Sequence, residues 1–500
     1  MASAWWNLLG AAARGASAVT RGVTGAALAA AHNWPSRGAR MGLLGPWDPP
    51  PSPSAVQAGL WDYRGVARPQ DIASAPLDLP LGRLIDPKAW RAERAFGLPA
   101  GVANQHTCVL GPTRSGKTAS IVAPWIHAAL RQGQSVLAVD VKGRDDLLGE
   151  VKRHSAQVGV LGVPVIKWDY NDPARSASWN WIAQLDGDSQ INAAVEAVCG
   201  RVSPSDPNKF FHQSAIKYLR GLLLLAPAVP GGLDLGRILR LLDDQTALES
   251  LVTGHRSHPG AQRLIELTGL SRGEFIKHTM ELRTHLETLD TQGFLSVTQR
   301  DQFSFDVLHA ERPVLVIVSA PVADGALGDA ASSLFLGQFL QRALTGFGPV
   351  GRPVLLVLDE AARVQNRIDL GSTLSLVAGV GVSSLLATQD VSQFQAERRD
   401  EIMANCGNLI CLPRVSKAST DFLAGRLGEM AFPTVSSSAS ASWGPMGQSW
   451  TRSEQRGPVL GHREIASPHP ALGPWPGVVH CPALSSRPIL VDLTRPDLAR

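Results

Sequence analysis

The segment Gly111-Pro112-Thr113-Arg114-Ser115-Gly116-Lys117-Thr118 constrains this chain more than any other stretch of its length. It fits G-x-x-x-x-G-K-[ST], a loop whose glycines let successive backbone N–H groups converge on a phosphate chain. The flanks have the order such a loop requires. Thr107-Cys108-Val109-Leu110 reads as a short buried strand, and Ala119 to Leu130 as a helix whose start Pro124 kinks or shifts. Without that order the same residues would be a chance glycine-rich turn. With it, Gly111 to Thr118 are expected to hold ATP or GTP. Lys117 would reach the β/γ-phosphates and Thr118 would offer an oxygen to Mg²⁺.

A loop of this kind needs an acidic partner at the end of a second strand. Val354-Leu355-Leu356-Val357-Leu358-Asp359-Glu360 supplies one: an apolar run suited to a central strand covered on both faces, ending in two carboxylates. Asp359 is expected on the Mg²⁺ side, and Glu360 as the base that polarises the attacking water. Further apolar runs fit the same sheet: Ser135 to Asp140, Val163 to Trp168, Pro313 to Val318, Ser383 to Thr388 and Asn408 to Leu412. Their alternation with helical segments predicts a largely parallel, helix-flanked α/β sheet. Gln389 follows one of these strands, where a polar group can sense the γ-phosphate.

Composition excludes rather than assigns. A net charge of +4 over 500 residues neither demands nor rules out nucleic acid, because a motor can confine its positive charge to a pore. The five cysteines (Cys108, Cys199, Cys406, Cys411, Cys481) are scattered, without metal-ligand spacing, and read as reduced core residues. Residues 1–70 read as a tail and linker, stiffened at Pro49-Pro50-Pro51-Ser52-Pro53. Its apolar residues are interrupted by Arg14, Arg21 and Arg37, whereas a membrane span needs about 20 predominantly apolar residues. A surface-lying helix using Trp5, Trp6, Leu8 and Leu9 is the alternative to an unstructured tail.

Residues 71–185 and 306–430 are read as two parts of the nucleotide-binding core. Between them, 186–305 reads as an inserted all-α domain, with apolar helical spacing at Ala215, Ile216, Leu219, Leu222, Leu223 and Ala226. It carries 12 Lys+Arg against 14 Asp+Glu, so it is not a basic DNA clamp, and its five histidines show no metal-ligand spacing. Residues 431–500 read as an exposed Ser/Gly/Pro-rich loop around Ser436 to Ser440, followed by a closing strand at Pro488 to Val491. Trp443 and Trp450 in that loop either stack on bases or pack against the surface.

The ordered series Gly111 to Thr118, Val139-Asp140-Val141-Lys142-Gly143, Asp169 with Trp179-Asn180-Trp181, Leu358-Asp359-Glu360-Ala361-Ala362, Ala387 to Gln393 and Ile402 to Asn408 resembles the type IV coupling proteins. These are the TraG/TraD-like ATPases of conjugation and type IV secretion; the wording is similar to that of actinobacterial members. The resemblance runs from about 101 to 500 and implies a RecA-like motor core with an inserted all-α domain. It further implies a homo-hexameric ring, ATP and Mg²⁺ as cofactors, and attachment at the cytoplasmic face of the membrane. The implied activity is ATP-driven movement of single-stranded DNA, usually relaxase-bound, toward a type IV secretion channel. Carried over by position, Lys117 and Thr118 serve phosphate and Mg²⁺, Asp359 and Glu360 serve Mg²⁺ and water, and Gln389 is the γ-phosphate sensor. Lys142 stays open between a contact to DNA or a neighbouring subunit and a solvated lysine.

Two departures stand out. No transmembrane pair is convincing, which points to peripheral attachment. A position where relatives often carry a trans-acting arginine holds Ala378, with Arg363, Arg367 and Arg414 as possible substitutes. Two alternative functions accompany the main one: a DNA-processing motor of the FtsK/HerA type, and a weak-ATPase receptor scaffold for protein cargo.

Overall fold

Alternating burial dictates the architecture. In the strand Val354–Asp359, Leu355 and Val357 point into one apolar core while Leu356 and Leu358 point into another, so both faces of the strand need cover. The computed structural model describes residues 62–493 except 74–75, 144–145, 160, 201–208, 347–350, 366–367, 441–446 and 474, with backbone alone at 322 and 432–453. Residues 1–61, including the expected surface helix, lie outside the described residues.

In chain order the strands are β1 (Leu79–Asp86), β2 (Arg91–Leu98), β3 (Thr107–Leu110), β4 (Ser135–Asp140), β5 (Val165–Asp169), β6 (Leu315–Ser319), β7 (Val354–Asp359), β8 (Val382–Thr388), β9 (Asn408–Cys411), β10 (Glu429–Ser440), β11 (Gly447–Pro458), β12 (Pro476–His480) and β13 (Ile489–Asp492). Eleven of them form one sheet in the order β2-β1-β13-β12-β9-β3-β8-β7-β4-β6-β5. The stretch from β9 to β5 is parallel throughout, and β12, β13, β1 and β2 extend it as an antiparallel edge. The α/β, largely parallel, helix-flanked sheet is thus the fold.

The helix after the glycine-rich loop begins with a π-helical turn, Thr118–Val122, and becomes α-helical over Ala123–Arg131, with Pro124 in its first turn. Proline has no N–H to donate back to the preceding turn and its ring crowds that turn's carbonyls, and the wider π turn directly before it gives it room. Among the described residues no sheet strand lies between Asp169 and Leu315; that interval holds helices such as Gly187–Cys199, Lys209–Leu225, Leu235–Asp243, Gln245–Gly254 and Arg272–Glu287. They are joined to the sheet by an aromatic cluster. Trp168 at the end of β5 meets Trp179 edge-on at 6.1 Å and Phe294 at 5.8 Å, and Phe335 lies 4.4 Å from Trp179. Within this helical stretch His212, Glu281 and His285 approach within 4.8 Å, although their spacing in sequence gave no such sign. An edge-to-face contact of the two rings and a 3.4 Å His285–Glu281 contact account for the arrangement.

The Ser/Gly-rich stretch expected as a loop is corrected: β10 and β11 pair antiparallel in continuous register from Glu429↔Pro458 to Ser440↔Gly447. Serine-rich sequence lacks an apolar alternation, so only the pairing itself reveals the strands. Trp443 lies outside the described residues, as do the contacts of the Trp450 side chain. No helix among the described residues is long and apolar enough to cross a membrane.

Candidate nucleotide-binding site

Strand register brings the chemistry together. β8 runs between β3 and β7, with Leu110 paired to Thr388 and Asp359 paired to Ala387. The residues that follow each strand therefore meet at one sheet edge: Gly111 to Thr118 after β3, Gln389 after β8, and Glu360 after β7. On the far side of β7, Asp359 pairs with Asp140 of β4, which carries the Lys142 loop to the same edge. This carboxyl edge is where open parallel sheets bind ligands.

The loop has the backbone its sequence requires. Gly116 lies at φ 85°, in the left-handed region that glycine enters without steric cost, and Arg114 at φ 62°. Lys117 is buried and folds its ammonium onto the carbonyls of Gly111 and Pro112. Burial pulls Lys117 below the ordinary lysine range, and the carboxylates of Glu360 and Asp359 only partly offset that. Asp359 is 1% exposed; its Oδ2 accepts from Thr118 Oγ1 at 3.4 Å and receives the Lys142 ammonium at 3.0 Å. Gln389 links the rest: its Nε2 donates to Glu360 Oε1 at 3.1 Å, and its Oε1 accepts from Thr113 Oγ1 at 3.0 Å. Glu360 itself sits at φ 84°, a strained position for a non-glycine residue, and its N–H donates to Ala387 O at 2.9 Å.

The segment Asp140-Val141-Lys142-Gly143 resolves residue by residue. Asp140, buried, accepts from the N–H groups of Lys142, Gly143 and Leu147 and so shapes the turn. Gly143 is at φ 71°, and a Cβ there would lie 2.4 Å from Pro321. Lys142 points to the site: its Nζ donates to Thr118 Oγ1 at 3.0 Å and lies 3.5 Å from Asp146. Burial would lower this ammonium, but the charges of Asp359 and Asp146 hold it above its ordinary value. Sequence reasoning left Lys142 unassigned because its partner belongs to a strand more than two hundred residues away. It also missed Trp475, 37% exposed, whose ring stands beside Gly116.

The donors present suit a magnesium nucleotide. Ser115 Oγ in the loop and Asp359 Oδ1 at the end of β7 are buried with no hydrogen-bond partner, and the Thr118 hydroxyl lies 3.4 Å from the other oxygen of Asp359. The substitutes for the arginine absent at Ala378 fare differently. Arg363 is held by Asp329 at 3.1 Å, Arg414 is exposed just past β9, and Arg367 lies outside the described residues. Ala378 itself is exposed in a short 3₁₀ turn.

A glycine-rich loop with buried lysine, an acidic pair on a neighbouring strand end and a glutamine between them define a RecA-like P-loop NTPase core. Two family models match the chain: type IV secretory system conjugative DNA transfer over residues 79–254, and the TraM recognition site of TraD and TraG over 353–469. The chain belongs to the type IV coupling proteins of conjugative DNA transfer. The unbound bacterial conjugative coupling protein TrwBdeltaN70 is similar in fold, with a TM-score of 0.61 at 17% identity, covering 85% of this chain and 96% of that one. TrwB solved with ADP and Mg²⁺ is similar as well, at a TM-score of 0.61 and 16% identity over 86% of this chain and 97% of that one. So is TrwB with a non-hydrolysable GTP analogue, at 0.59 and 16% over 85% and 96%. No curated protein sequence matches.

Proposed function

We propose that the chain binds ATP with Mg²⁺ at this edge and couples its hydrolysis to the movement of single-stranded DNA. The observation that carries the reading is the linked set Thr113–Gln389–Glu360 beside Lys117, Thr118 and Asp359. Lys117 and the loop amides hold the phosphates, with Thr118 and Asp359 as the oxygen donors for Mg²⁺, which supplies charge neutralisation there. Glu360 accepts a proton from water, and Gln389 holds its carboxylate and links it to Thr113 of the glycine-rich loop.

In this reading 71–185 and 306–430 form the motor and 186–305 a helical domain that gates or recognises. Six copies form a ring, with relaxase-bound DNA as cargo and the secretion channel as receiver. The chain works at the cytoplasmic face of the membrane through a peripheral contact. The hold of Asp329 on Arg363, together with Ala378, supports a second reading, a slow ATPase that acts as a receptor for protein cargo.

DNA transfer between cells separates the two. Lys117→Ala at unchanged protein level is expected to abolish transfer, and the wild-type chain to co-purify with a relaxase. Undiminished transfer with Lys117→Ala contradicts the motor.

A further inference from the structure

Lys142 occupies the hydroxyl of Thr118 and one carboxylate oxygen of Asp359, the two side chains to which the magnesium role is assigned. Its Nζ lies 3.0 Å from both Thr118 Oγ1 and Asp359 Oδ2. An ammonium and a divalent cation repel each other strongly when both sit on this one hydroxyl and carboxylate. We propose that Lys142 is an internal counter-cation that competes with Mg²⁺ for Thr118 and Asp359, and that it yields to the magnesium nucleotide by swinging to Asp146. The proposal rests on the nucleotide reading of the site.

Three features make the exchange mechanically simple. The backbone of the turn is fixed, because Asp140 accepts from the Lys142 and Gly143 amides and Gly143 is pressed against Pro321. Only the side chain has to move. Asp146 already lies 3.5 Å from Nζ in this same pose, and its side chain is 45% exposed against 1% for Asp359, so an ammonium that leaves Thr118 and Asp359 for the solvent side keeps a carboxylate partner. The resting position also has a clear benefit. A carboxylate as buried as Asp359 is costly without a cation, and Lys142 provides one whenever Mg²⁺ does not. Lys142 thereby sets the magnesium concentration at which the site loads, and its position reports loading along the segment from β4 to the helix Asp146–Val158. It is a positioning residue that acts through the metal donors.

Binding of a fluorescent ATP analogue to the full chain, titrated with Mg²⁺, tests this. Lys142→Met is expected to lower the half-saturating Mg²⁺ roughly 3- to 10-fold, as removal of one charge-assisted competitor would. Asp146→Asn, which removes the alternative seat from an exposed position, is expected to raise it. The opposite shifts, or no shift in either variant with nucleotide binding intact, overturn the proposal. Melting temperature with Mg²⁺ alone gives an arm independent of nucleotide: Mg²⁺ should stabilise Lys142→Met more than wild type, and equal stabilisation counts against the exchange. Should wild type and Lys117→Ala both fail to bind nucleotide at any Mg²⁺ level, the nucleotide reading fails. The melting arm then still decides whether Lys142 and Mg²⁺ compete.

Discussion

Glu360 holds its carboxylate at the site by accepting a left-handed backbone, φ 84°, directly after a buried strand. Such a conformation costs about 1–3 kcal/mol in a residue with a Cβ, and glycine escapes it. Glu360→Gly should therefore be more stable to denaturant than Glu360→Ala by about 1 kcal/mol, while both lose the base. Equal stability would show that the strain is absent. Glu360→Gln keeps the hydrogen bond to Gln389 and removes the proton acceptor. It should retain ATP binding while turnover falls by about 10²-fold or more, a split seen by comparing equilibrium binding with steady-state rate. The loop and the Asp-Glu pair were readable from sequence because they are local patterns. What joins them was not. Thr113 meets Gln389 and Lys142 meets Asp359 only because β3, β8, β7 and β4 lie side by side, an order that no local spacing encodes.

Elements divide along the same line. The strands β3, β4 and β6 to β9 were legible because burial on both faces favours apolar runs, even though β8 also buries Ser383, Ser384 and Thr388 and β9 buries Asn408. The antiparallel edge was legible only at β13, which the expected closing strand at Pro488 to Val491 marks. β1 contains Pro80 and Gly82, β2 has charged residues at Arg91, Glu93 and Arg94, and β12 begins Pro476-Gly477, all of which read as loop in isolation. The β10–β11 hairpin is a two-stranded ribbon, and such a ribbon has only one ladder to break. Backbone amides of 429–440 and 447–458 should exchange with deuterium much faster than those of β7, which has strands on both sides. Comparable protection would mean that a surface not visible in the single chain covers the ribbon. Directly after β4 the amides of Lys142 and Gly143 donate to the Asp140 carboxylate. Gly143→Ala, facing a 2.4 Å approach to Pro321, should destabilise the chain by about 1–3 kcal/mol and weaken nucleotide loading together.

At the scale of the whole molecule the sheet separates two cores, and the five free thiols are all buried in them. The native chain should leave all five unreactive toward an aromatic disulfide reagent, and denaturant should expose all five. Burial also pushes the thiols of Cys108, Cys411 and Cys481 up, and that of Cys406 to about 12. Above the ordinary thiol pKa of 9.0 the unfolded chain releases protons that the folded chain keeps, so these groups make stability fall as pH rises past that point. Tyr63, Tyr170 and Tyr218, raised chiefly by burial, act in the same direction, and the lowered Lys117 opposes them. Denaturation midpoints between pH 8 and 10 should decline; a rise would mean that lysine terms dominate. Assembly belongs to this scale too. On the proposed ring, a mass determination with nucleotide bound should give six copies, and a monomer at all concentrations would contradict it.

ATP turnover by the full chain, measured with and without single-stranded DNA and compared with Lys117→Ala, tests the proposed DNA motor most directly. The motor predicts turnover that single-stranded DNA raises severalfold and that Lys117→Ala abolishes, because the phosphates lose the one buried ammonium aimed at them. Turnover indifferent to DNA and unchanged by Lys117→Ala would contradict it.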